Sequence, residues 1–427
     1  MNNDNSKQQI YLGGNFEVLK AIPFGDITTD NQGKRQNFKA PVTLSWLTES
    51  LDFEQAQHTK LILYPDYPEV RLSGFLRGCT SAPSEHMRPI ERHLRLQNNS
   101  WDGRVLFLGV TRDSSVLAYL AINGSSASQE FDELTREGNL EKFGVLYSIP
   151  HQPDGNQREI LLSTLKEIHC RGWVDSVRLD RQGQPRPYRA TNGGGYTLEA
   201  LLGVKPNGRA EPDFHGWEIK AYAGDRITLM TPEPKAGYYG EQGLTAFLHR
   251  YGYRRSDEVI YFTGTYRVGR LHAKTNLVLR LEGYNPASGK IESVDGGISL
   301  IDNAGSKAAS WPFSELIMHW AKKHARAAYV PYELEKNTQS GLPHYRFSNS
   351  IGLGYDSSFL KYLAAMYSGL IVYDPASRMK ASTAGDTKGK KARNQFRISA
   401  KYLSLLYTNF EQVSLTESND CSNRPVE

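Results

Sequence analysis

The sequence predicts a mixed α/β (α+β) protein built from two domains, on three observations. Its 427 residues exceed one average domain. Short bursts of Val, Ile, Leu and Tyr, broken by Pro, Gly and Ser, dominate residues 1–150 and read as strands. Beyond residue 160, stretches of helical spacing mix with further strand-like runs, without the strict alternation of a parallel βαβ sheet. A smaller β-rich N-terminal domain (1–150) and a larger second domain (160–427) follow from this pattern.

Residues 1 to about 15 are polar and read as a tail. "KLILYPDYPEVRLSGFL" (60–76), "RVLFLGV" and "SVLAYLAI" (104–122) are strand-like, and "SSASQEFDELTREGN" (125–139) contains a helix start. "YSIPHQPDGNQRE" (147–159) has two prolines, a glycine and no periodicity, so it reads as a linker. Leu161, Leu165 and Ile168 then recur at helical spacing. In "NGGGYTLEALLG", Thr197 is a candidate N-cap and Gly203 a candidate stop, with Leu198, Leu201 and Leu202 forming an apolar face. "DEVIYFTGTYRV" and "TNLVLRLEGY" are strand-like, and "WPFSELIMHWAKKHARAAYV" (311–330) reads as one long helix. "SSFLKYLAAMYSGLIVYDP" reads as helix then strand, and a basic loop near 385–391 leads to a final helix.

No run approaches the roughly 20 apolar residues of a membrane span. The N-terminus lacks the basic-then-apolar layout of a secretory signal. Cys79, Cys170 and Cys421 are odd in number and form no C-x-x-C, which argues against a disulfide framework or zinc knuckle and fits a reducing cytoplasm. Net charge is +5, unevenly spread. Residues 1–160 hold 16 Lys+Arg and 20 Asp+Glu; subtraction from totals of 51 and 46 leaves 35 and 26, so the halves carry −4 and +9. A basic second half suits a polyanionic partner, and equally an ordinary soluble surface.

"PDFHGWEIK" (212–220) is the stretch with the most chemistry. In a strand over 217–220, side chains alternate, so Glu218 and Lys220 share one face while Trp217 and Ile219 enter the core. A turn at His215–Gly216 brings Asp213 beside Glu218. Two carboxylates at a strand end suit Mg²⁺, which takes oxygen ligands and keeps waters. Such an ion serves phosphodiester hydrolysis, and a nearby ammonium steadies the developing charge. Glu199, fourteen residues before Asp213, is a candidate third carboxylate. Spacing alone also fits a solvated strand edge with an ordinary ion pair.

The segment "NGGGYTLEALLGVKPNGRAEPDFHGWEIKA" (192–221) resembles the active-site segment of the MvaI/BcnI family of Type II restriction endonucleases, MutH-like members of the PD-(D/E)xK nuclease superfamily. "LKEIHCRGWVDSVR", "HWAKKHARAAYVP", "GLIVYDP" and "KKARNQFRI" extend the likeness over about 160–410. The resemblance implies a restriction-endonuclease-like mixed central sheet flanked by helices. It implies metal-binding acids at Asp213 and Glu218, a catalytic lysine at Lys220 and an additional acid at Glu199. The cofactor it implies is Mg²⁺, for which Mn²⁺ can substitute. Double-stranded DNA is the partner it implies, together with a cognate methyltransferase or another defence-system protein, and no membrane. The activity expected is sequence-specific DNA cleavage in restriction or phage defence; a MutH-like nickase recruited by a partner and a silent DNA-binding subunit are the alternatives.

"KGKKARNQFRI" supplies Lys388, Lys390, Lys391, Arg393, Asn394, Gln395 and Arg397 as candidate DNA contacts. Arg and Asn/Gln read base edges and Lys neutralises phosphate; a basic surface loop without base contacts has the same composition. "HRYGYRRSDE" (249–258) is a weaker basic–aromatic cluster. Gly193, Gly194 and Gly195 suit either a close phosphate approach or a tight turn. His215 fits a side chain packed at the sheet edge, with contact to a phosphate or water as the alternative, and His319 and His324, five apart on a helix, are poorly spaced for one metal and read as structural or DNA-facing. The N-terminal domain is extra to a catalytic module and reads as a DNA-sensing, effector or partner-binding unit. His86, Arg88, Arg92, His93 and Arg95 form one candidate basic cluster in it, which fits a solvated helix face better than a binding patch.

Overall fold

Strand-forming residues recur across both halves of the chain, and the computed structural model gathers them into several small sheets braced by helices. It describes residues 9–14, 16–48, 52–80, 82–87, 103–111, 113–138, 140–149, 157–190, 192–205, 213–256, 258–324, 326–380 and 389–416. Two compact units form: Met1–His151 with Lys290–Asp295, and Gln152–Gly289 with Gly296–Glu427. The mixed α/β class read from the sequence is the class observed.

The first unit holds an antiparallel sheet in the order Gln9–Gly14, Glu69–Ser73, Lys60–Tyr64, Asn37–Pro41, Thr28–Asp30. Its inward residues include Leu12, Phe38, Leu61, Leu63 and Val70, all fully buried. The first strand lies where a polar tail was expected; pairing with Glu69–Ser73 satisfies a backbone whose side chains gave little signal. A four-stranded sheet of Phe53–Gln55, Leu44–Leu47, Val116–Ala121 and Val105–Val110 contains a parallel pair, Leu44–Leu47 with Val116–Ala121. The helix Ser126–Arg136 begins at Ser125, whose hydroxyl accepts the Ser128 N–H. Residues 290–295 contribute Ile291 and Val294, both fully buried, and the Val294 N–H donates to Gln36 Oε1 at 3.1 Å. Arg88, Arg92, His93 and Arg95 of the basic cluster lie outside the described residues.

In the second unit, Leu161, Leu165 and Ile168 line the buried face of the helix Gln157–Cys170, as their spacing predicts. They meet Leu198, Leu202, Trp217, Ile219, Ala328, Val330, Tyr345 and Leu353 in one core. The main sheet runs Trp173–Asp175, Pro343–Phe347, Arg326–Lys336, Ser350–Ser357, Tyr407–Ser414. Glu218–Tyr222 joins it parallel to Arg326–Lys336, which makes the sheet mixed.

Three local expectations need correction. The helix expected over 311–330 spans Phe313–Lys323 only, and Arg326–Lys336 is a central strand. Ala327, Ala328, Tyr329 and Val330 are buried between two partner strands, and a continuous apolar run cannot tell a buried strand from a buried helix. The expected final helix is the strand Phe396–Ser399 followed by a 3₁₀ turn, Ala400–Leu406. Thr197 is no N-cap: it lies inside the helix Gly194–Leu201, and its hydroxyl accepts the Val177 N–H at 3.2 Å. Gly203 does stop that helix, with φ of +75° just past the cap at Leu202. Cys79 is free and buried.

Candidate active site

Phe214 and Trp217 form a tight antiparallel bridge, their N–H and C=O groups exchanging bonds of 3.0 and 2.9 Å. The two residues between them, His215 and Gly216, have φ of 44° and 79°. Both central residues at positive φ are the mark of a two-residue I′ hairpin turn. The turn folds Asp213 back, and its Oδ2 accepts the Ile219 N–H at 3.0 Å. His215 is exposed rather than packed against the sheet, its ring edge-on to Phe214 at 4.5 Å.

Strand alternation then sorts the side chains. Trp217 and Ile219 are buried in the core. Glu218 and Lys220 take the opposite face, where Glu218 Oε1 accepts from Lys220 Nζ at 2.7 Å. That face is far from a solvated edge: the Glu218 side chain is 4% exposed and that of Lys220 19%. Glu218 Oε2 is buried with no hydrogen-bond partner. A buried carboxylate oxygen without a donor is rare and costly, and calls for an absent water or ion.

Opposite Glu218 and Lys220 in the neighbouring strand stand Ala327 and Tyr329. The Tyr329 and Tyr407 hydroxyls are 2.7 Å apart and wholly buried. Burial holds both phenols well above their ordinary range, and the negative charge of Glu218 adds to the effect on each. Tyr407 lies over Gly354, where a Cβ would come within 2.7 Å of the ring. This aromatic floor was not foreseen; the alternation of Ala327 with Tyr329 could have suggested it once 326–336 was read as a strand.

Glu199 lies on the helix Gly194–Leu201, which packs against the strand Glu218–Tyr222. Two of the three glycines that open this helix serve packing, whereas a Cβ on Gly195 would meet nothing within 4 Å. A Cβ on Gly194 would sit 2.4 Å from Tyr332 Cζ, one on Gly193 would sit 2.6 Å from Ser176 Oγ, and the Gly193 N–H donates to the Tyr345 hydroxyl at 3.0 Å. That N–H is thus occupied within the protein.

The expected DNA-contact segment divides. Lys388 lies outside the described residues. Lys390 and Lys391 are exposed, and Lys390 Nζ donates to Thr245 Oγ1 at 2.9 Å. Arg393 and Gln395 line a polar cleft of about 250 Å³ with Thr231 and Glu233. Asn394 is buried, accepting from the Tyr373 hydroxyl at 2.7 Å. Arg397 belongs to a strand and is tied to Asp374 at 2.9 Å and to the Arg226 carbonyl at 3.0 Å. In the weaker cluster, Arg250 packs over the Tyr238 and Tyr251 rings. His324 is structural: it is fully buried, with Nε2 3.0 Å from the Leu229 carbonyl and its ring stacked on Trp320. Among the described residues, no three His, Cys, Asp or Glu side chains gather as a metal cage, and no helix is long and apolar enough to cross a membrane.

The sequence profile of the MvaI/BcnI restriction endonuclease family matches residues 162–407, more than half of the chain. Among solved structures, the chain is similar to "Restriction endonuclease MvaI-cognate DNA substrate complex", with 20% identity, 61% of this chain and 99% of that one covered, and a TM-score of 0.48. It is also similar to "Restriction endonuclease MvaI in the absence of DNA", with 19% identity, 63% and 100% coverage, and a TM-score of 0.35. None of the curated proteins compared matches it. The span matched by the family's profile contains the whole hairpin, the strand behind it and the helix beside it, and the chain belongs to the MvaI/BcnI restriction endonuclease family, a family of DNA-cleaving enzymes.

Proposed function

We propose that the protein is a Mg²⁺-dependent endonuclease of the PD-(D/E)xK type that hydrolyses phosphodiester bonds in duplex DNA, as a sequence-specific enzyme of restriction or phage defence. The observation that carries this reading is Glu218: nearly buried, one oxygen on Lys220, the other without a donor. Mg²⁺ fits such a place, because it binds through one or two carboxylates and completes its shell with water and substrate oxygens. Asp213 and Glu218 would hold it, and Glu199 stands on the adjoining helix as the additional acid. Bound there, the ion would supply Lewis acidity toward the phosphodiester.

The remaining work falls to the chain's own groups. Lys220, fixed against Glu218, holds a positive charge where negative charge grows on the phosphoryl oxygens. The Asp213 bond to the Ile219 N–H fixes the first carboxylate relative to the strand. The buried tyrosine pair and the small Ala327 close the protein side of the site, so the pair of charges stays poorly solvated and strong.

Supercoiled plasmid incubated with enzyme and Mg²⁺, beside Lys220→Ala, Glu218→Gln and an EDTA control, tests the proposal. Discrete fragments indicate site-specific double-strand cleavage, and open circles alone indicate a nickase. Intact plasmid from methylated and unmethylated hosts alike would sink it. A rise in melting temperature on adding Mg²⁺, absent in Glu218→Gln, reports on the ion independently of cleavage.

A further inference from the structure

A second charged place lies downstream of the catalytic strand, and nothing in the motif accounts for it. The strand Arg226–Met230 pairs with Phe396–Ser399, and the latter runs into the 3₁₀ turn Ala400–Leu406. Between them and the loop after Tyr367 opens a cleft of about 280 Å³ whose lining includes Asp225, Arg226, Arg267, Arg397 and Lys401.

The charges there do not cancel. Asp374 takes both Arg397 Nη1 at 2.9 Å and Arg226 Nη1 at 3.4 Å, so one carboxylate serves two guanidiniums. Asp225 accepts from the Ser399 hydroxyl at 2.5 Å and pairs with neither arginine. Arg267 and Lys401 have no acidic partner among the described residues. Four cations against Asp225 and Asp374 leave a surplus of two. Arg397 Nε is buried with no acceptor. A buried N–H donor and an unpaired guanidinium and ammonium in one concave place call for an anion, and arginine's planar fork suits phosphate.

Chain geometry places this cleft near the proposed reaction centre. Arg226 follows Lys220 by six residues, a reach of at most about 20 Å. At one phosphate per about 3.4 Å of duplex axis on each strand, this is within about six base pairs of the cut. From the other side, Lys401 precedes Tyr407, whose hydroxyl meets that of Tyr329 beside Lys220, by six residues of mostly 3₁₀ turn, about 12 Å of rise.

We propose that this cleft binds a phosphate of the DNA backbone at a distance from the scissile bond, with Arg267 and Lys401 as its phosphate contacts and Arg226 and Arg397, braced by Asp374, shaping it. The proposal rests on the endonuclease reading for its partner, and its test separates the two. Binding of full-length protein to a 30-base-pair mixed-sequence duplex is followed by fluorescence anisotropy in EDTA over a range of NaCl. Arg267→Ala and Lys401→Ala each weaken binding and lower the slope of log affinity against log salt by about one unit, and the double variant by about two. Thermal melting of each variant checks that the fold is intact. Unchanged slopes overturn the proposal. So does a rise in melting temperature with inorganic phosphate that the double variant loses while its duplex slopes stay put, since the cleft would then hold a free anion. Plasmid cleavage by the wild type is scored separately: cutting with unaltered slopes rejects the cleft and keeps the nuclease, and flattened slopes without cutting do the reverse.

Discussion

The hairpin at 213–220 and the segment at 389–397 are both polar stretches, yet the fold treats them differently. At the hairpin, a carboxylate and an ammonium are drawn into a nearly closed face, and one oxygen is left over. At 389–397 part of the hydrogen-bonding capacity is spent inside the protein, Asn394 Oδ1 on Tyr373, Arg397 on Asp374 and the Arg226 carbonyl, Lys390 on Thr245, while Asn394 Nδ2 and Arg397 Nε are left over. Composition alone made the second stretch look like the better nucleic-acid reader. What separates them is the kind of group left over, a carboxylate oxygen that suits a cation at the hairpin and N–H donors that suit an acceptor or anion at 389–397.

The largest effect that would sharpen this contrast is on turnover. Lys220→Ala should lower cleavage by on the order of 10²–10³-fold while duplex binding persists, and Lys390→Ala should leave turnover near wild type. Plasmid cleavage time courses decide it, and wild-type turnover in Lys220→Ala would remove the hairpin from the chemistry. Next is Gly194→Ala, whose Cβ would collide with the Tyr332 ring. We expect a loss of about 3 kcal/mol, the upper part of the overpacking range, read from urea midpoints; an unshifted midpoint would mean that the helix bearing Glu199 seats without that glycine. Asn394→Ala should cost about 1–2 kcal/mol by unpairing the buried Tyr373 hydroxyl, with no change in the salt slope of DNA binding. A flattened slope at unchanged stability would place Asn394 at the DNA instead.

The smallest expected effect concerns pH. Burial raises the Glu411 carboxyl, but its bonds to Arg158 and Tyr355 outweigh burial and hold it below the usual carboxylate range. A lowered folded pKa gives stability that is present above the unfolded value and is lost as pH falls through the folded one. Glu411→Gln should therefore lower stability at neutral pH slightly and flatten the decline on acidification. Equal acid limbs in thermal melts at pH 3 to 6 would show that the triad is only a solvated surface contact.

How far the fold could be read from the sequence varied with the kind of signal. Leu161, Leu165 and Ile168 announced their helix because one face repeats at helical spacing. The alternation of Trp217, Glu218, Ile219 and Lys220 gave the strand and its two faces, and His215–Gly216 gave the turn. Residues 326–330 misled because Ala327 to Val330 are apolar on both faces of a central strand, so periodicity vanishes. The start of the main N-terminal sheet was missed because Gln9–Gly14 earns its place from pairing with Glu69–Ser73. At the candidate site, Asp213, Glu218 and Lys220 were singled out by chemistry and resemblance, while the tyrosine floor and the basic cleft join residues more than seventy positions apart.

The two-residue turn also dictates which sequence changes this enzyme lineage can tolerate. Adding or deleting one amino acid between Trp217 and Lys220 would break the alternation, so that Glu218 and Lys220 could no longer share one face while Trp217 and Ile219 both stay in the core. Length variation is thus expected to collect on the chain preceding Asp213 rather than within the nine letters that follow Glu211. A library of single-codon indels across 206–222, selected for retained cutting, would map that boundary to the residue.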